Sequence, residues 1–287
     1  MVEKILADIP GPDPRPKTPS FKLPTGSVDT HYHIFDAPSQ LAENRSYTPP
    51  VASESAFASL QYTLGFQRSV VVQPSIYGTD NRTTLQHASN SSDRRAIIVL
   101  HHVPTAADLE ELHDQSCRGV RINALFKGAT DIGMIPKLAE AIAPFDWHLE
   151  FLINVSEGHK LLDEVSNLPV PIVIDHMGHV PALNGVEDLG FQSLLRHVSE
   201  GTAYVKLSAP YRLGANVIDC APFVHALVEA NPDRLLWGTD WPHPAFDGPM
   251  PNDGALVDLI PEWLPTPELQ QKVLVDNPQK LYGFGKQ

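Results

Sequence analysis

Short apolar runs alternate with amphipathic stretches along most of the chain, and the two patterns predict different elements. The apolar runs are rich in Val, Ile and Leu, which is typical of strands that are buried on both faces. We predict eight such strands, over residues 28–36, 69–75, 96–100, 119–125, 147–154, 171–176, 203–208 and 234–240. The amphipathic stretches predict helices over residues 55–65, 79–92, 106–117, 134–143, 159–165, 191–200, 217–230, 255–264 and 268–275.

This repeated strand and helix order predicts an α/β fold, a single-domain (β/α)8 TIM barrel over residues 27–287. Residues 1–26 contain many prolines, which cannot donate to a strand ladder, so we expect an extended N-terminal arm there. A doubly wound open sheet is the alternative fold. The first strand is not followed by the G-x-G-x-x-G turn that would favour this alternative.

The first strand carries two histidines, His31 and His33, separated by one residue. Because side chains on a strand alternate between its two faces, both imidazoles are expected on the same face. Together they could bind one metal ion or one carbonyl oxygen. They could also be core histidines whose ring nitrogens are satisfied by backbone carbonyls, and the pair alone does not decide between these interpretations.

Several other predicted strands end in polar side chains. These residues are Ser75, Arg121, His176, Ser208 and Asp240. In a barrel the carboxyl ends of all strands meet at one mouth, where functional residues collect. Three imidazoles and one carboxylate could hold one Zn²⁺ ion, or they could supply one base and several hydrogen-bond donors without a metal.

Composition excludes several classes of partner. The chain has 34 acidic and 21 basic side chains and a formal charge of -13, so we expect no nucleic acid and no anionic membrane surface as partner. The N-terminus lacks the apolar run of a secretory signal, and no stretch of about 18 uninterrupted apolar residues occurs. We therefore expect a soluble, cytoplasmic protein.

Six ordered segments resemble one protein family. They are VDTHYHIFD (28–36), VQPSIYGTDN (72–81), GVRIN (119–123), IDHMG (174–178), VKLSAPYR (205–212) and LWGTDWPH (236–243). Together with residues 276–278 and 281–284 they resemble the amidohydrolase superfamily, of the amidohydrolase 2 type. More narrowly, they resemble its 2-pyrone-4,6-dicarboxylate hydrolase or lactonase branch. The resemblance covers about residues 27–285 and implies a (β/α)8 barrel that hydrolyses a lactone, a cyclic ester.

The resemblance also implies roles for the strand-end residues. Asp240 would be the general base that activates water, with His31, His33 and His176 around the substrate carbonyl. The same four side chains would be the ligands if a single divalent ion is bound, and the expected ion is Zn²⁺. Superfamily members with two metals have a lysine on strand four and a histidine on strand five. Here those strands offer Arg121 and Glu150, so we expect no second metal, and either one divalent ion or none.

The expected partner is a small-molecule lactone or carboxylate, and a homo-oligomer is possible. The residues that match the substrate-binding positions of the family are Tyr47, Ser75, Arg121, Lys127 and Arg212. Lys127 replaces a typical arginine, and the tyrosine expected near Leu152 is absent. These two departures favour a related lactone with fewer or differently placed carboxylates. The alternative functions are a metal-dependent decarboxylase, a sugar-acid lactone isomerase and a non-catalytic binding protein.

Overall fold

A computed structural model describes residues 9–43, 45–125, 132–214 and 220–285 of the chain. Strands β1–β8 span Val28–Tyr32, Arg68–Val72, Arg94–Ile98, Cys117–Asn123, His148–Leu152, Ile172–Ile174, Ala203–Ser208 and Leu235–Gly238. Helices α1–α11 span Glu54–Leu64, Arg82–Ser89, Ala106–Asp114, Ile135–Ile142, Val155–Val165, Leu189–Ser199, Ala221–Ala230, Asp253–Val257, Ile260–Trp263, Pro267–Gln271 and Asn277–Leu281.

The eight strands pair in parallel and in sequence order, from β1 to β8. The gap between β1 and β8 is bridged just beyond the strand ends. There the N–H of His33 donates to the carbonyl of Trp241 and the N–H of Asp240 donates to the carbonyl of His31, both at 2.8 Å. The predicted single-domain (β/α)8 barrel is confirmed, and its closure brings the end of β8 beside the end of β1.

The strands are buried as the apolar runs predicted. Every residue of β1, β2, β5, β6, β7 and β8 is buried, because helices cover the outside of the barrel and side chains fill its interior. A buried carboxylate links the first strand of the barrel to the residues that follow the last strand. Asp29 on β1 accepts hydrogen bonds from the backbone N–H and hydroxyl of Thr239, at 3.0 and 2.7 Å.

The predicted elements differ from the observed ones mainly at their ends. Helix α2 begins at Arg82 rather than residue 79, and a separate 3-10 turn lies before it at residues 75–77. The helix predicted over residues 255–264 is divided between α8 and α9, and the one over residues 268–275 between α10 and a π-helical turn at residues 272–276. Helix α11 follows and was not predicted. Residues 9–24 form no helix or strand. Within this arm the N–H groups of Ser20 and Phe21 donate to Asp258, at 2.7 and 3.0 Å.

None of the helices in the described part of the chain combines the length and the apolar composition needed to cross a membrane.

Candidate active site

Three imidazoles converge on one carboxylate oxygen at the mouth of the barrel. His31 lies on β1, His33 just beyond it, His176 after β6 and Asp240 after β8. The Nε2 atoms of the three histidines lie 3.7, 3.6 and 3.7 Å from Oδ1 of Asp240, in that order. All four residues are at most 2% exposed. The convergence predicted for these strand ends is therefore present in the structure.

Two of these four residues have an unusual backbone conformation. His176 and Asp240 have φ angles of 52° and 61°, in the left-handed region that non-glycine residues rarely occupy. Such conformations cost on the order of 1–3 kcal/mol and cluster at functional sites. Gly238 comes two residues before Asp240, and a Cβ atom there would lie 2.8 Å from the Cβ and backbone N of His31. Only glycine allows β8 to approach His31 this closely.

The two oxygens of Asp240 have different environments. Oδ2 accepts three hydrogen bonds, from the Tyr211 hydroxyl at 2.7 Å and from Nε and Nη2 of Arg212 at 2.9 and 2.8 Å. Oδ1 has no hydrogen-bond partner among the described residues. Burial by itself raises the pKa of Asp240. The positive charge of Arg212 and the nearby His176 ring outweigh burial and hold this pKa well below its usual range. Asp240 is therefore ionised, with one oxygen available for chemistry.

Each imidazole is held by its other ring nitrogen. Nδ1 of His33 lies 2.7 Å from the Val72 carbonyl, which can only accept, so this nitrogen carries a proton and Nε2 carries a lone pair. Nδ1 of His176 lies 2.8 Å from the Ser208 hydroxyl. Burial lowers the pKa of all three imidazoles, and for His31 the neighbouring Lys206 charge lowers it further. The three rings are therefore neutral near pH 7.

A second group of charged residues lies beneath the first. The Lys206 ammonium on β7 lies 2.5 Å from Oε2 of Glu150, 3.0 Å from Nδ1 of His31 and 3.5 Å from Oδ1 of Asp175. All these side chains are fully buried. Arg121 lies 3.6 Å from the other oxygen of Asp175, so two cations face two carboxylates. This balance makes the burial of four charges tolerable.

A cavity of about 330 Å³ opens above Asp240. Four of the predicted substrate-binding residues, Tyr47, Ser75, Arg121 and Arg212, line it with His33 and His176. The remaining wall includes the apolar side chains of Leu125, Leu152 and Phe246. His31 is fully buried below the cavity floor. The cavity is thus cationic on one side and apolar on another, and it meets the carboxylate and the imidazoles at its base.

Eight of the nine predicted site residues are brought together here, and the ninth, Lys127, lies outside the described residues. Sequence reasoning missed Tyr211, Asp175 and Lys206. Lys206 carried a usable signal, because it precedes Ser208 by two residues on β7 and so shares its inward face. Tyr211 lies in the turn after β7. Side chains do not alternate between two faces there, so the sequence does not predict where this side chain points.

Within the described part of the chain, two sets of side chains have the chemistry of metal ligands. In the first set, His31, His176 and Asp240 each offer an atom within 4.8 Å of the others, and His33 lies beside them. Imidazole nitrogen and carboxylate oxygen are the donors that Zn²⁺ accepts. The second set is His31, Glu150 and Asp175. There the Lys206 ammonium already contacts all three side chains, so the second set is occupied by a cation of the chain itself.

Comparisons with known proteins agree with this geometry. The family described as amidohydrolase matches residues 28–284. The 2-pyrone-4,6-dicarboxylate hydrolase of Comamonas testosteroni is 39% identical over 284 residues, 93% of each chain. The 4-sulfomuconolactone hydrolase of Rhizobium radiobacter is 38% identical over 287 residues, 95% of each chain. A solved Acinetobacter baumannii structure with citric acid bound has a TM-score of 0.81 at 26% identity, covering 91% of this chain and 100% of its own.

Proposed function

Because this chain belongs to the amidohydrolase family, we propose that it hydrolyses the ring of a small lactone that carries an acidic group. The observation that carries the proposal is the arrangement around Asp240, whose Oδ1 lies 3.6–3.7 Å from three neutral imidazoles at the base of the cavity. The two relatives that are 38–39% identical over nearly the whole chain are both named as lactone hydrolases, which supports the assignment.

In the proposed reaction, Oδ1 of Asp240 accepts a proton from water as the water oxygen attacks the lactone carbonyl. Nε2 of His33, which carries a lone pair, accepts the second hydrogen bond of the same water. Negative charge then develops on the carbonyl oxygen, where an N–H of the His176 ring stabilises it. A well-placed donor of this kind contributes on the order of 3–4 kcal/mol. The ring C–O bond breaks, and the proton held by Asp240 passes to the leaving oxygen.

The first ligand set fits one divalent ion, with His31, His33, His176 and Asp240 as the residues that would hold it. A bound Zn²⁺ would supply two effects, acidifying a water molecule and polarising the carbonyl. Asp240 and the imidazoles can also act without a metal. We propose no second metal, because the Lys206 ammonium contacts every member of the second ligand set.

The substrate we propose has an anionic group near Arg121 and an apolar part near Leu152. Arg121 is 5% exposed and lines the cavity. An anion from the substrate would pair with the part of its guanidinium that faces the cavity. The related structure has citric acid bound, which supports a substrate that carries an acidic group. The apolar wall at Leu152 favours a lactone with fewer or differently placed carboxylates than pyrone dicarboxylate.

A panel of lactones incubated with the protein and followed by mass spectrometry tests the function. Lactone hydrolysis adds the mass of one water molecule, a decarboxylase removes carbon dioxide, and an isomerase leaves the mass unchanged. Water addition to a carboxylated lactone, with little reaction on a neutral one, is the expected result. No water addition to any member would overturn the proposal, as would loss of carbon dioxide. If pyrone dicarboxylate is the best substrate of the panel, the proposed preference for a different lactone is wrong, but the proposed lactone hydrolysis stands. The cytoplasmic location and a homo-oligomer stay predictions.

A further inference from the structure

We propose that Lys206 is a positioning residue that keeps the ring proton of His31 on Nε2, and so opposes metal binding through that nitrogen. Lys206 is fully buried beside the site and takes no part in the proposed reaction. This proposal rests on the proposed function only in that His31 belongs to the same site, and its test uses no substrate.

The contacts of His31 determine which ring nitrogen carries the proton. An ammonium has three N–H donors and no lone pair, so the 3.0 Å hydrogen bond between Lys206 and Nδ1 of His31 uses the lone pair of Nδ1. In a neutral imidazole the single proton must then be on Nε2. Oδ1 of Asp175 lies only 3.2 Å from the same Nδ1, but it makes no hydrogen bond with any described residue. The ring therefore accepts from Lys206 rather than donating to Asp175.

The charges around Lys206 require an ammonium rather than a neutral amine. Glu150 is fully buried, and Lys206 lies 2.5 Å from its Oε2. Asp175 lies 3.5 Å from the same nitrogen. A neutral lysine would leave these buried carboxylates without the ammonium, with Arg121 Nη2 3.6 Å from Asp175 and the buried His148 ring 3.9 Å from Glu150. An unpaired buried charge of this kind is strongly destabilising.

This proton position has two consequences. Nε2 of His31 makes no hydrogen bond with a described residue, and Oδ1 of Asp240 lies 3.7 Å from it, so a proton on Nε2 favours the ionised carboxylate there. A divalent ion, in contrast, needs a lone pair on Nε2, because a protonated nitrogen cannot be a ligand. Metal binding through His31 must therefore break the hydrogen bond from Lys206 and move the proton to Nδ1. The positive charge of Lys206 also repels an incoming cation.

The proton position can be observed directly by NMR. Protein labelled with ¹⁵N-histidine and recorded by long-range ¹H–¹⁵N correlation distinguishes the two tautomers, and the His31 signals are identified by their loss in His31→Asn. We expect a protonated Nε2 and an unprotonated Nδ1 in the metal-free protein. A protonated Nδ1 would overturn the proposal.

Cobalt affinity tests the second consequence. Metal-free protein is titrated with Co²⁺ and followed by visible absorption, comparing the wild type with Lys206→Met. Loss of a group that acts on a metal ligand through its second nitrogen changes affinity by roughly 10–100-fold, so we expect Co²⁺ to bind tighter by about that factor. Lys137→Met is the matched control, because Lys137 is exposed on α4 and its loss should leave the affinity unchanged.

A double variant separates this explanation from a simpler one. Lys206→Met alone leaves Glu150 and Asp175 uncompensated, and an ion could enter the space that the ammonium leaves. Lys206→Met/Glu150→Gln removes one positive and one negative charge together, which preserves the net charge and takes a ligand from that space. We expect this variant to fold, by circular dichroism, and still to bind Co²⁺ more tightly than the wild type. Unchanged affinity in the folded double variant would overturn the proposal. If the tautomer and the Co²⁺ affinities are as expected but the protein hydrolyses no lactone, then the proposed function is wrong and the role of Lys206 stands.

Discussion

Arg212 donates two hydrogen bonds to the same carboxylate oxygen of Asp240, from Nε at 2.9 Å and Nη2 at 2.8 Å. Its Nη2 also reaches the carbonyl of Pro244 at 2.6 Å, which fixes the guanidinium on the loop after β8. The sequence predicts Arg212 as a substrate-binding residue, and it does line the cavity. Its hydrogen bonds, however, go to Asp240 and Pro244. Arg212 therefore determines which oxygen of the carboxylate faces the histidines.

Replacement of the proposed base is the first prediction. Asp240→Asn keeps the size of the side chain and its place between Arg212 and the histidines but cannot accept a proton from water. General base catalysis typically contributes about 10²–10⁴-fold, so we expect kcat on the best lactone of the panel to fall by at least that factor. Circular dichroism should show an unchanged fold. Asp163→Asn, at an exposed carboxylate on α5, is the control. Near-normal turnover by Asp240→Asn would remove the proposed mechanism.

The second prediction concerns the phenol that holds Asp240. Tyr211 donates to Oδ2 at 2.7 Å and lies 2.9 Å from Nδ1 of His243. A hydrogen bond to a charged group contributes about 1.5–3 kcal/mol, so Tyr211→Phe should lower kcat by roughly 10–100-fold. KM should change little, because the hydroxyl is engaged by Asp240 rather than by substrate. Steady-state kinetics measure both constants, and Tyr62→Phe, at a side chain 90% exposed, is the control. A rise in KM with unchanged kcat would assign Tyr211 to substrate binding instead.

The third prediction separates binding of the acidic group from catalysis. Arg121→Met removes the cation that we place against the substrate anion, and the lost charged hydrogen bond is worth about 1.5–3 kcal/mol. We expect kcat/KM for a carboxylated lactone to fall by roughly 10–100-fold, mainly through KM. A neutral lactone should lose less, because it is affected only by the missing cation beside Asp175. Arg121→Lys should recover part of the loss, since it keeps the charge without the planar fork. Equal losses on both lactones would show that Arg121 acts through the fold.

Much of the fold and of the cluster around Asp240 could be predicted from the sequence, because the alternation of side chains along a strand fixes the face on which each one lies. His31 and His33 had to share a face, and the closure of the barrel then had to bring β1 beside β8. The same rule extends from Ser208 to Lys206, whose inward position could have been found. Its contact with His31 could not, since two residues 175 positions apart meet only through the packing of the barrel interior.

The unequal environments of the Asp240 oxygens could not be predicted either. They depend on the 3-10 turn at residues 210–212, which follows Ala209 in a left-handed conformation with φ of 48°. Ala209 has no sequence feature that favours this conformation, which glycine adopts far more readily. The backbone there turns to place Tyr211 and Arg212 on Oδ2. Strand patterns carry no information about such a turn.

The fourth prediction concerns stability below neutral pH and centres on His87 of α2. Its ring is 2% exposed and lies 2.8 Å from the Tyr32 hydroxyl. Burial, with the nearby Arg94 charge, lowers the pKa of His87 to about 4, whereas an exposed histidine has a pKa near 6.5. Between these two values the unfolded chain binds a proton that the folded chain does not. The free energy of unfolding therefore falls as the pH drops from about 6.5 to about 4. Above that range the ring is neutral in both states, so none of this stability is lost.

His87→Gln removes this titration, so the wild type should lose about 1–2 kcal/mol more stability than the variant between pH 7.5 and pH 5. Urea unfolding at both pH values measures the difference, and comparing the two proteins cancels the groups that titrate alike in both. His225→Gln, at an exposed histidine on α7, should behave as the wild type. If His87→Gln and the wild type lose the same stability on acidification, then the imidazole of His87 becomes protonated without opposing the fold, and burial between α2 and β1 does not hold it neutral.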